Sequence, residues 1–79
     1  MLFRSALGSL GPPAQEATPA LAQALTDRVA IVRKAAARAL GAMGPAAKAA
    51  VPALTAALRD KDASVRTSAS QALKKIQAK

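Results

Sequence analysis

Lys34 and Arg38 stand four residues apart with only alanines between them. On a helix that spacing puts both cations on one face, where like charges cost a few tenths of a kcal/mol. A pair held together at a cost points to an anionic partner. Two chemistries fit: the acidic face of a protein, or the backbone phosphates of a nucleic acid, which a row of Lys and Arg neutralises without reading sequence. An ordinary solvated face is the plain alternative. The whole chain shares this bias, with 12 Lys and Arg against 4 Asp and Glu and a formal charge of +8. Such a balance favours nucleic acid, anionic lipid or an acidic protein surface without choosing among them.

The inventory for catalysis is poor. There is no His and no Cys, which removes the most common general base, imidazole and thiolate metal ligands, and disulfides. Glu16, Asp27, Asp60 and Asp62 are the only acids. Asp60 and Asp62 flank Lys61 in a turn and lack the Gly and distal Glu of a calcium loop, and the Ser, Thr and Lys side chains have no base or orienting third group. No catalytic, cofactor-binding or metal residue is assigned, and no small-molecule substrate is expected. The chain reads as a binding protein, not an enzyme. With Phe3 the sole aromatic, single strands would find no stacking platform, so duplex DNA is the nucleic acid to expect. Base-specific readout is not indicated.

The elements that position the charges follow from an internal repeat. Displaced by 33 positions, the distance from Pro12 to Pro45, the chain superposes Gly8, Gly11, Pro19, Leu21, Leu25, Asp27, Val32, Arg33 and Leu40 on Gly41, Gly44, Pro52, Leu54, Leu58, Asp60, Val65, Arg66 and Leu73. Repeats of this length stack, each covering its neighbour's apolar flank, and offer extended surfaces in place of an enclosed pocket. Abundant alanine and sparse β-branched residues make the units helical. Helices are expected over about 2–9, up to Thr26, over 29–42, up to Arg59 and over 62–77. Asp27-Arg28 and Asp60-Lys61-Asp62 turn the chain within units, and Gly8 to Pro12 and Gly41 to Pro45 turn it between them. Pro19 and Pro52 either open a helix, with Thr18 as cap in the first unit, or kink one begun near Ala14 and Ala47; the kink is favoured because Val51 cannot cap.

Three-and-four spacing assigns the core. In the middle helix Val32, Ala35, Ala36, Ala39, Leu40 and Met43 share a face, and in the last Val65, Ser68, Ala69, Ala72, Leu73 and Ile76 do. Leu40 and Leu73 are expected to be buried where hairpins meet.

The string P-A-L-x-x-A-L-x-D, a short turn, V-R-x-x-A-x-x-A-L and a Gly-x-x-Gly-Pro link resembles the HEAT repeat, in the short form also found in phycobilisome-lyase-like proteins. The resemblance implies an all-α, right-handed α-solenoid of HEAT-like helical hairpins, about two and a half repeats long. One domain spans 1–79, with a half repeat at 1–11, a repeat at 12–44 and a second, C-terminal capping repeat at 45–79. It further implies a structural ladder between units from Asp27, Arg33, Asp60 and Arg66, and a concave side formed by the later helices. There Arg4, Lys34, Arg38 and Lys74 would form a basic stripe beside Thr67, Ser70 and Gln71. The function expected is a non-catalytic scaffold that docks a protein partner or itself, with electrostatic binding of duplex DNA as the alternative.

The two ends are unequal. Residues 1–11 carry Arg4, two serines and no acid, which a targeting peptide would also show, but they align with the end of the repeat and read better as half a unit. Met1, Leu2 and Phe3 would then form an apolar flank for self-association, with a homodimer about a two-fold axis favoured over a head-to-tail filament. Ser64, Ser68, Ser70, Lys74, Lys75 and Lys79 make the other end polar. No apolar run nears the roughly 18–20 residues of a membrane span. Nothing fixes the compartment, although the cytoplasm is favoured.

Overall fold

A computed structural model describes residues 14–78, with side chains from Ala17 onward. It consists of α1 (Ala14–Ala24), α2 (Ala30–Met43), a 3-10 segment (Gly44–Ala50), α3 (Val51–Ala57) and α4 (Ala63–Gln77). These residues contain no strand. They form two hairpins, α1 with α2 and the 3-10 segment plus α3 with α4. The second lies against the first chiefly through α2 and α4.

Both hairpins turn in the same way. The amides of Leu25, Thr26 and Asp27 close α1 onto the carbonyls of Leu21, Ala22, Gln23 and Ala24, and those of Leu58, Arg59 and Asp60 close α3 onto Leu54, Thr55, Ala56 and Ala57. The aspartate then folds back: Asp27 Oδ1 accepts from the Val29 amide and Asp60 Oδ1 from the Asp62 amide, each at 2.8 Å. An acid that bonds the backbone two residues on makes the turn by itself. The hairpins differ at the next step. Asp62 caps α4 by accepting from the Ser64 and Val65 amides, whereas Val29 gives α2 no side-chain cap, which forgoes about 1 kcal/mol.

Leu40, Leu54 and Val65 are the large side chains fully enclosed, and Ala36, Ala37, Ala47, Ala50 and Ala69 are as deeply buried. Alanine contributes little apolar area, so helices must approach closely to bury what there is. Gly41 shows how closely. A Cβ there would lie 2.9 Å from Ala72 Cα and 3.1 Å from its Cβ. The matching residue of the second hairpin is Lys74, which is exposed.

Three expectations change. Gly41, Ala42 and Met43 remain helical, and the turn between units falls on Gly44, whose φ of 62° suits glycine. α1 starts at Ala14 and carries Pro19 inside it. In the second unit the break precedes the proline: Ala47 leaves helical geometry at φ −95°, ψ 19°, and α3 begins at Val51 with Pro52 in its first turn, where a missing amide costs nothing. Finally, α2 is rotated by about one residue from the expected face. It buries Arg33, Ala36, Ala37, Leu40 and Gly41, while Ala35 is exposed and Val32, Ala39 and Met43 are half-buried. The Gly41 contact and the Arg33 ion pair described below select this face, and hydropathy scores neither. α4 follows expectation except at Leu73, which is only half-buried because no described hairpin covers it as the second covers Leu40.

Leu40→Ala should lower unfolding free energy by about 2–5 kcal/mol in a denaturant titration. Gly41→Ala should lower Tm, because overpacking against a backbone atom, at about 1–3 kcal/mol, outweighs the roughly 1 kcal/mol that alanine gains in a helix. A rise in Tm would show that α4 is free to retreat.

Candidate functional site

Arg33 joins the hairpins. Its Nε donates to Asp60 Oδ2 at 2.7 Å and its Nη2 to Asp60 Oδ1 at 3.0 Å, while Nη1 donates to the carbonyls of Asp27 at 2.8 Å and Arg28 at 3.0 Å. The planar guanidinium thus grips a carboxylate of the second hairpin with one edge and the turn of its own hairpin with the other, a geometry Lys cannot reproduce. The side chains of Arg33 and Asp60 are 8% and 11% exposed, so water screens the pair only partly. The hydrogen bond from Arg33, then the Asp62 amide, hold the Asp60 carboxyl below its ordinary range. Asp60, in turn, raises the pKa of Arg33. Asp62 is lowered too, first by the Ser64 hydroxyl and then by the Ser64 amide.

Arg66 occupies the same place one unit later and donates Nη1 to the Asp60 carbonyl, as Arg33 does to Asp27. Among the described residues it meets no carboxylate. The Asp27 carboxylate keeps its turn bond to Val29 and accepts no arginine hydrogen bond among the described residues, Arg33 reaching only the Asp27 carbonyl. The four ladder residues therefore make one complete rung.

Between α2 and α4 runs an open groove. Lys34 and Arg38 line it from α2, and Ser64, Thr67, Gln71 and Lys75 from α4. Ser68 lies at its floor, buried. Arg38 and Lys75 are exposed and Lys34 is half-buried. No carboxylate is part of the lining. Of the expected stripe, Lys34 and Arg38 come together; Lys74 does not join them, because it follows Gly41's position toward the outer flank of α4, and its neighbour Lys75 takes the place in the groove. Thr67 and Gln71 line the groove as small polar neighbours, and Ser70 does not. The repeat held this signal: Lys75 matches Ala42, which also lines the groove. Arg4 and the flank Met1, Leu2 and Phe3 lie outside the described residues.

Among the described residues no three His, Cys, Asp or Glu gather as a metal site, and no helix is long and apolar enough to cross a membrane. What repeats is a helical hairpin whose acid and arginine interlock with the next, and a family model for HEAT repeats matches residues 5–77. The chain belongs to the HEAT-repeat family. No curated protein and no solved structure shows a significant match to it. HEAT repeats generally mediate protein–protein contact and are typically non-catalytic, so in this HEAT-repeat chain the groove is the surface to consider.

The Arg33–Asp60 rung makes stability depend on acid. A carboxyl whose folded pKa is depressed contributes in full above its unfolded value of about 3.9 and loses the contribution as pH falls through the lower folded value. Asp60→Asn should therefore melt below the parent at pH 7, and the gap should close as pH drops below about 4. A gap unchanged with pH would show that the charge of the Asp60 carboxylate contributes nothing.

Proposed function

We propose that this chain is a non-catalytic docking module that holds an acidic segment of a protein partner in the groove between α2 and α4. The observation that carries the reading is the lining: Arg38 borders one stretch of the groove with Lys34 and the adjoining stretch with Lys75, with hydroxyl and amide groups between them and no acid among the lining residues. Carboxylates satisfy such cations through charge-assisted hydrogen bonds, and Ser64, Thr67 and Gln71 can serve the peptide groups between. The lined part of α2, from Lys34 to Ala42, is about 12 Å long at 1.5 Å per residue. That length suits a short peptide better than a duplex, which would rest on the rim and engage few phosphates. Electrostatic binding of duplex DNA and self-association remain the competing outcomes of the test.

Titrations of a fluorescent Glu-rich peptide and of a short DNA duplex, run with the parent and with Lys34→Glu/Arg38→Glu, distinguish them. The peptide should bind the parent and be lost in the variant, with helicity by circular dichroism unchanged. Tighter duplex binding, with a log–log salt slope near −3 for three phosphates at about −0.9 each, would favour the nucleic-acid reading. Binding of neither, with molar mass rising with concentration, would favour self-association.

A further inference from the structure

Ile31 is 77% exposed and Val29 53% exposed, the two most exposed large apolar side chains among the described residues. Both stand where α2 begins. The second hairpin has Asp62 and Ser64 at these positions, and there they interlock: Asp62 Oδ1 accepts from the Ser64 amide at 2.8 Å and from its hydroxyl at 2.6 Å. The first hairpin has given up that cap and displays two β-branched side chains to water. Neither change helps the chain on its own.

The direction of Ile31 suggests what it meets. At 3.6 residues per turn, Ile31, Arg38 and Ala42 lie within about 20° of a common line along α2, with Lys34 one turn from Ile31. Lys34, Arg38 and Ala42 all line the groove, and Ser64, the counterpart of Ile31 on α4, lines it too. Ile31 therefore stands in line with the groove's α2 wall on the side of the hairpin turns, just beyond the residues that line it. An exposed apolar side chain thus adjoins one end of a basic groove.

We infer that Ile31, with Val29 adjoining, is the anchor point of the docking groove, and that the partner is an acidic peptide segment with an aliphatic or aromatic residue at the end nearest the hairpin turns. The inference rests on the docking function proposed above and specifies its ligand. From Ile31 to Arg38 is about 10 Å along the helix, which an extended peptide covers in about three residues. Carboxylates one to three residues from the anchor would thus reach Lys34 and Arg38. The apolar contact sets the register, and it also separates this ligand from a duplex, which presents charge without an apolar side chain to cover Ile31.

The test compares two Glu- and Ala-rich synthetic peptides, one with a Phe-Leu pair at each end and one with Ser-Ser, against the parent, against Val29→Asn/Ile31→Ser and against Lys34→Glu/Arg38→Glu. Val29→Asn/Ile31→Ser leaves the net charge unchanged and supplies a favourable cap, so it should fold at least as well as the parent. The parent should bind the Phe-Leu peptide about tenfold more tightly, a preference that survives high salt, and Val29→Asn/Ile31→Ser should erase the preference while keeping the Ser-Ser affinity. Equal affinity of the parent for both peptides, or a preference that persists in Val29→Asn/Ile31→Ser, overturns the anchor; if both peptides are still lost in Lys34→Glu/Arg38→Glu, the groove stands without it. Failure of both peptides to bind the parent overturns anchor and groove together. Capture by phosphatidylserine vesicles that depends on Ile31, with no peptide preference, would replace the peptide by a membrane surface.

Discussion

The four hydrogen bonds of Arg33 hold the two hairpins in one arrangement. A core built mostly of alanine has little shape to specify how its helices meet: small, similar side chains slide over one another at low cost, and burial energy grows with area and not with direction. Directional bonds supply what the core cannot. Arg33 gathers two carbonyls left open at the turn of the first hairpin and the carboxylate that turns the second, so the turns and the relation between hairpins are satisfied by one side chain. The groove inherits its width from this clamp, since the same two hairpins supply its walls.

The clamp also explains which parts of the molecule were legible in the sequence. The 33-residue period and the helical hairpins were readable, because each leaves a residue type at a fixed interval; the pairing of acid with arginine followed from the resemblance to HEAT repeats. The face of α2 was not. Ala35, Ala36, Ala37 and Ala39 look alike to any hydrophobic pattern, and the residues that decide the rotation, Arg33 and Gly41, are ones that a hydropathy pattern assigns to the surface or to a turn. The second unit's proline misled for a related reason: a proline signals a discontinuity, but only backbone geometry shows that Ala47 absorbs it before Pro52 is reached.

At the candidate site the charges were readable and their partners only partly so. Lys34 and Arg38 follow from spacing on one helix. Lys74 was placed with them although its counterpart in the first unit is a glycine pressed against Ala72, which means that the position looks sideways along the stack and not into the groove. Ile31 gives no separate signal in the sequence, because Val32, one residue on, fits the expected core face and absorbs the apolar character of the segment. Set beside Ser64, it marks a change from polar to apolar between the two units near the groove's end.

The exchange of Gly41 for Lys74 has a consequence for growth. A stack elongates only if each newly added hairpin presents the same seat as the last, and the seat on α2 is a bare backbone into which Ala72 fits. On α4 the same position carries a four-carbon stem and an ammonium group. A further hairpin set at the same spacing would have to displace that stem before its backbone could come as close as Ala72 comes to Gly41. A single lysine thus makes the two hairpins sterically non-equivalent as seats for a neighbour.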